Sequence, residues 1–388
     1  MIADAWAFND LGHGRWWRLT AATLAITNEA TLDQVRCNKQ QALMTSLNQV
    51  MPHDQHDNDL LTDRITVSDP LLGRNEHHLY RARLNGEDNG AVLEATAPDL
   101  RGKLPPAQPS ATVAGKVSAF FVEKYGLNPE CEVVLFSGDN PCSLVGMGAS
   151  RPGKVVISLG TSDTLFAAMP EPRTDPNGFG HVFGNPMGGF MSLICFLNGS
   201  LARERVKEDL GLGWSDFDRE GLARTPAGNE GRLMLPFFGP EITPRVESGD
   251  AVYRGWADGQ RDPASVVRAL LEGQFLNMKV HSRWLGVAPE TIYLTGGASQ
   301  NDGIAQTVAN VFGVPVSRLS VAGSAALGAG MRAAQAACGV SLESLEEAFC
   351  QPEEGSTVVP EEGTGEIYEE LEQKWVAALH EAFSLPND

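Results

Sequence analysis

Apolar residues fall into regular patterns only from about Ser110 onward. Val113, Val117, Phe120, Phe121 and Tyr125 recur at helical spacing and Gly126 follows as a stop, which predicts a helix ending there. EVVLFSGDN comes next, a β-branched run that breaks into Gly138-Asp139-Asn140. KVVISLGTSDTLFAA reads as two short strands flanking Gly160-Thr161-Ser162, a hairpin. Residues 264 to 285 are amphipathic and lead into the strand TIYLTGG, after which Asn301 opens a helical run to Phe312. The strand VPVSRL and the Ala-rich helix SAALGAGMRAAQAA follow. Strands and helices alternating over short connections predict α/β layering. In the closing helix, GEIYEELEQKWVAALHEAF, Ile367, Leu371, Trp375 and Leu379 stand four apart with acids between them, so one face should pack and the other should be solvated.

The first 110 residues read differently. From Arg18 to Gly90 the text is rich in Asn, Gln, Asp and His and has no sustained apolar period. Its loudest feature, MPHDQHDNDL with His53 and His56, reads as a solvated polar loop, since such spacing serves a metal only when a helix or turn holds it.

At 388 residues the chain is long enough for two to three domains and a sizeable core. Acidic residues outnumber basic ones 49 to 30, a net charge of −19 that disfavours duplex nucleic acid as a partner. Residues 341 to 388 hold 13 acids and one Lys, so this stretch carries −12 of the total. Attraction for a polyanion such as ATP must then come from local backbone N–H groups and a metal, not from an overall basic field. Six cysteines without CxxC spacing predict reduced thiols in an intracellular protein. No apolar run reaches the length of a membrane span and no signal pattern opens the chain, so a cytoplasmic address is expected.

Three Gly-bearing turns each end an expected strand: SGDN at 137–140, LGTSD at 159–163 and TGGASQN at 295–301. Glycine permits the close backbone approach that a phosphate nest needs, although most strand-end glycines only turn the chain. Gly296-Gly297-Ala298-Ser299 precedes a helix N-terminus, where unpaired N–H groups suit a phosphate or a nucleoside. Asp139, just past an apolar strand, is open to three readings: helix cap, metal ligand or general base.

SGDNPCSLVGMG, then SLGTSDTLFAA, then GWSDF, EGQF and TGGASQN together resemble the FGGY carbohydrate kinases, most closely their xylulose kinase branch, over about Thr96 to Ala337. The resemblance implies an α/β, actin-like (ribonuclease H-like) ATPase fold with one complete C-terminal domain and a partial N-terminal domain. It implies residues 1–125 as a truncated remnant of the sugar-binding domain with an unplaced segment at 18–90, residues 126–340 as the nucleotide-binding domain, and residues 341–388 as an acidic tail and helix. It implies transfer of phosphate from ATP, with Mg²⁺, to a ketopentose such as D-xylulose. Asp139 would then be the catalytic base and Asn140 a sugar contact. Gly160, Thr161 and Ser162 would meet the γ-phosphate, Trp214 would lie close to the nucleotide, and Gly296, Gly297, Ala298 and Asn301 would form the adenosine turn. GDN favours a pentulose kinase over a glycerol kinase.

The match has gaps. The family's first phosphate loop, a DxGT strand-turn, has no counterpart, the other GT pair being Gly363-Thr364 in the acidic stretch. Asp4, in MIADAWAFND, faintly matches a family acid, and residues between Trp17 and Ala91 match nothing. A nucleotide-binding module without turnover is therefore the rival expectation, along with self-association through an exposed cleft face.

Overall fold

A computed structural model describes residues 109–135, 137–175, 177–247, 249–257, 261–319, 321 and 323–383. Asp4, His53, His56 and the segment 18–90 lie outside the described residues. The described chain opens with a small unit: β1 (Val113–Lys116), α1 (Ala119–Tyr125) and β2 (Glu132–Val134), with β1 antiparallel to β2. The helix expected from Val113 onward is thus split. Val113 faces Val134 in a strand pair, because β-branched residues lose little in the extended state and β2 offers a hydrogen-bonding edge. The stop is where it was expected: Gly126 is left-handed (φ 67°) and its N–H bonds the Val122 carbonyl at 2.9 Å.

Next come α2 (Asp139–Gly146), β3 (Lys154–Leu159), β4 (Asp163–Met169), β5 (Gly180–Gly184), β6 (Phe190–Phe196) and α3 (Ser200–Asp209). Helical turns at Trp214–Asp216 and Phe217–Leu222 follow, then four short strands, β7 (Leu233–Leu235), β8 (Glu241–Ile242), β9 (Arg245–Val246) and β10 (Val252–Arg254). The last part runs α4 (Pro263–His281), β11 (Thr291–Thr295), α5 (Asp302–Phe312), β12 (Val316–Arg318), α6 (Ser324–Cys338), α7 (Leu342–Phe349) and α8 (Thr364–Ala382).

Six strands make one sheet in the order β12-β11-β3-β4-β6-β5. β12, β11 and β3 are parallel, while β4, β6 and β5 extend the sheet antiparallel. Both faces are covered, which explains the nearly continuous apolar text of β3 and β4. Val155, Ile157 and Leu159 enter the core beneath α4, α5 and α8, whereas Val156 joins Leu144 and Met147 of the α2 segment on the other face. Leu165 and Ala167 alternate with Phe166 and Ala168 in the same way. Helices α2 and α6 cross at contact distance through two glycines. A Cβ on Gly328 would lie 1.8 Å from the Cys142 carbonyl oxygen, and one on Gly146 2.0 Å from that of Ser324.

The closing helix of the acidic stretch packs one face into the core, as its apolar spacing suggested. Trp375 is fully buried and donates its indole N–H to the Met234 carbonyl at 3.0 Å, with Tyr368, Leu371 and Leu379 beside it. Ile367, expected on the same stripe, is exposed. One acid of the face expected to be solvated is turned inward: Glu372 is buried and pairs with Lys279 at 3.3 Å and with Arg283.

Glu272 of α4 ties this helix to the loop before β7. Its Oε1 accepts the Gly228 N–H and the Tyr368 hydroxyl, each at 2.8 Å. Burial raises its carboxyl to about 7, against a lowering by Arg268, from an ordinary value of 4.5. Glu272 thus holds its proton more tightly in the folded chain, so its stabilising contribution is complete below about 4.5 and is lost as the pH rises through about 7. Urea unfolding of the full chain between pH 5 and 8 should therefore show wild type losing stability relative to Glu272→Gln, by on the order of 3 kcal/mol at most. Parallel pH profiles would contradict the assignment.

Candidate functional site

Strand register brings two of the three Gly-bearing turns together. β3 and β11 pair in parallel with Ser158 opposite Thr295, so the residues that follow each strand, Gly160-Thr161-Ser162 and Gly296-Gly297-Ala298, leave the same edge of the sheet. In open α/β sheets the carboxyl ends of parallel strands are where ligands settle. The two turns also touch. Gly296 has φ 91°, and a Cβ there would sit 2.3 Å from the Leu159 carbonyl oxygen, so only glycine fits.

The hairpin expected at 154–168 forms as β3 and β4, with Leu159 opposite Asp163. Gly160 is half-buried, and Thr161 and Ser162 are exposed at the tip. In the second turn, Gly296 and Gly297 are exposed, Ala298 is half-buried, and Ser299 is folded under, donating its hydroxyl to the Gly296 carbonyl at 2.7 Å. Arg318 of β12 steadies this turn by donating to the Gln300 carbonyl at 3.2 Å and to Asp302 at 2.7 Å. Asn301 caps α5 as its sequence position suggested, its Oδ1 accepting the Ile304 N–H at 2.9 Å. That oxygen therefore already has a structural partner.

Trp214 is 51% exposed, with the Lys207 ammonium 4.8 Å from its ring centroid and Phe217 packed edge-on at 5.6 Å. The next helical turn, Phe217–Leu222, reaches the first turn of α5, where Leu222 leaves only 2.5 Å for a Cβ on Gly303. An exposed aromatic face thus stands just before an element packed against the helix that the second turn opens.

Asp139 is the first residue of α2 and exposed; its Oδ1 accepts the Asn140 N–H at 2.8 Å. A carboxylate at a helix N-terminus is favoured by the helix dipole, but the cap position itself is Gly138, so Asp139 is the first helical residue and not the cap. Leu144 and Met147 anchor its segment to the sheet through Val156 and Phe166. Asp139 is therefore linked to the two turns through the shared sheet, from the face opposite α4 and α5.

Several residues that build this edge were not singled out from the sequence. Asp163 and Arg203 form a bidentate pair with both oxygens at 2.9 Å and both side chains 1% exposed. Burial raises the Asp163 carboxyl above its ordinary value, while Arg203 and the Gly160 amide draw it down. Gln274 accepts from Arg203 at 2.9 Å and donates to the Asn198 and Gly199 carbonyls at 2.6 and 3.0 Å. Buried Glu241 collects the N–H groups of Leu197, Asn198 and Ile242 at 2.7 to 2.9 Å, fixing the loop between β6 and α3. The signals in the text were slight: Asp163 inside GTSD and Gln274 inside EGQF, with nothing to mark Arg203 as its partner.

A sheet covered on both faces, with glycine turns at the carboxyl ends of adjacent parallel strands, is an α/β fold that this chain shares with solved sugar kinases. The xylulose kinase and the gluconate kinase of Lactobacillus acidophilus share it, at TM-scores of 0.71 and 0.72 and 20% and 18% identity, over 84% and 89% of this chain and 66% and 72% of theirs. Residues 155–337 match the FGGY family of carbohydrate kinases, C-terminal domain. Xylulose kinase of Rattus norvegicus is 39% identical over 289 residues, covering 72% of this chain and 53% of the rat protein. The chain spans about half the length of the curated relatives it matches.

Gly297 offers a clean probe of the second turn. A Cβ there meets nothing within 4 Å, so Gly297→Asp should fold normally while placing a bulky negative charge on the open side of the turn. Calorimetry with Mg-ADP should show binding in wild type and its loss in Gly297→Asp. Unchanged binding in the variant would place the nucleotide elsewhere.

Proposed function

We propose that the sheet edge holds ATP, with Gly160, Thr161 and Ser162 at the outer phosphates, Gly296, Gly297 and Ala298 at the adenosine, and Trp214 beside the nucleotide. The observation that carries this reading is the Ser158–Thr295 register, which sets two glycine turns side by side with exposed backbone. Asn301 serves the same turn by capping α5.

The reaction proposed is that of the FGGY xylulose kinases: phosphate passes from ATP to a hydroxyl of a ketopentose, D-xylulose first among them. Asp139 accepts the proton of the attacking hydroxyl and Asn140 contacts the sugar. Phosphoryl transfer passes through a loose transition state, so the protein mainly positions groups and stabilises charge. Hairpin N–H groups aimed at the transferred phosphate do the second, and a positioned carboxylate does the first. Among the described residues no group of three His, Cys, Asp or Glu side chains is arranged to hold a metal ion by itself. Mg²⁺ commonly keeps several waters and is held through substrate phosphates, so a site without such a cluster fits an ion that arrives with ATP. Bound with ATP, the ion would supply neutralisation of phosphate charge.

A second reading, a nucleotide-binding module without turnover, is favoured by the match of residues 155–337 to a C-terminal domain alone. One assay separates the two. The full chain with Mg-ATP and D-xylulose should release sugar phosphate and ADP more slowly than the roughly 1 to 100 per second of ordinary kinases, with D-ribulose and glycerol as slower acceptors. Asp139→Ala should lower that rate by at least about 10²-fold and leave Mg-ADP affinity unchanged. An unchanged rate in Asp139→Ala would remove it from the reaction, and Mg-ADP binding with no sugar phosphate at all would establish the second reading.

A further inference from the structure

We infer that Asp163 and Arg203 are positioning residues that aim the 160–162 hairpin at the nucleotide's outer phosphates, an assignment that rests on the phosphate reading given above. A buried ion pair is an expensive way to hold a strand, since well-packed apolar residues of similar volume hold it as well or better. The pair therefore calls for a role that apolar packing cannot fill, and its connections supply one.

Asp163 is the first residue after the hairpin tip. It stands opposite Leu159 at the base of the tip, so holding its side chain fastens the tip from below. Arg203 uses its fork to fix that carboxylate in a single orientation, and its remaining donors go to Gln274 and to the Ser200 hydroxyl, each at 2.9 Å. The incoming side of the tip is held as well, because the Ser200 N–H bonds the Gly160 carbonyl at 3.0 Å. Gly199 lies so close to Asp163 that a Cβ there would be 2.8 Å from both its amide nitrogen and its Oδ1. Gln274 then locks Asn198 and Gly199 from the α4 side. The tip is thus bound at both of its ends to a rigid loop, with Thr161 and Ser162 left facing solvent.

Fixed N–H donors act on charge without reorganising, so the pair should matter for phosphates and not for adenosine. The adenosine turn has separate supports in the Gly296–Leu159 contact and in Arg318.

The test is the ratio of Mg-ATP to adenosine affinity, measured by calorimetry on the full chain. The double substitution Asp163→Leu/Arg203→Met replaces the pair by apolar groups of similar size and should preserve the fold, as seen by circular dichroism and thermal unfolding. Its Mg-ATP affinity should fall about tenfold or more while adenosine affinity stays within about twofold. Gln274→Met, which keeps the ion pair, should show the same selectivity with a smaller loss of about threefold to tenfold. A folded double variant that binds Mg-ATP as wild type does would show the pair to be scaffolding only. So would equal losses for Mg-ATP and adenosine, or a Gln274→Met protein with unchanged Mg-ATP affinity should the double variant fail to fold. Wild type that binds adenosine but shows no preference for Mg-ATP would fail earlier, overturning the phosphate reading itself and this assignment with it.

Discussion

Two opposite charges sealed under a hairpin anchor one edge of this molecule's sheet. Asp163 and Arg203 are 40 residues apart in sequence and together join β4, α3 and, through Gln274, α4. Taking two charges out of water costs several kcal/mol per ion, and their attraction offsets this only when geometry is good and the remaining donors are satisfied. Here the guanidinium has partners in Asp163, Gln274 and Ser200, so that condition is met. Removing one partner would strand the other, at a cost of about 3 to 5 kcal/mol.

Around that pair the edge is built by close approach. Gly296 lets the second turn lie against Leu159, and Gly199 lets the loop before α3 lie against Asp163, so two turns and a loop crowd into the space of ordinary side chains. Glycine-mediated approach also governs the far face, where Gly146 and Gly328 let α2 and α6 cross at backbone contact. Asp139 heads the first of those helices, so the carboxylate proposed as base rides on a rigid pair of helices. Loop-borne groups would be aimed less well.

Local features were legible in the text. The apolar runs KVVISL and DTLFAAM report the two strands of a hairpin, Asn301 announces a cap, and Gly126 announces a stop. The three Gly-bearing turns were legible as turns, and the likeness they carry led to the family. Long-range relations were not legible. Nothing local tells that Arg203 faces Asp163, that Tyr368 donates to Glu272, or that Trp375 fills the core beneath β7. The stripe of Leu371, Trp375 and Leu379 announced a packed face, whereas Glu372 was read with the solvated acids because the text does not show Lys279 and Arg283 waiting for it. The period of Val113 and Val117 suggested a helix because a short strand beside a short helix mimics one longer period, and only the partner strand β2 decides between them.

The central claim is that one sheet edge, formed by the hairpin after β3 and the turn after β11, receives a nucleotide. Hydrogen exchange of the full chain with and without Mg-ADP measures this directly, since ligand contacts slow exchange of the backbone amides they cover. The account predicts slowed exchange concentrated in 159–163 and 296–301, with residues 113–134 unchanged. Protection confined to another segment, or none at saturating Mg-ADP, would contradict it.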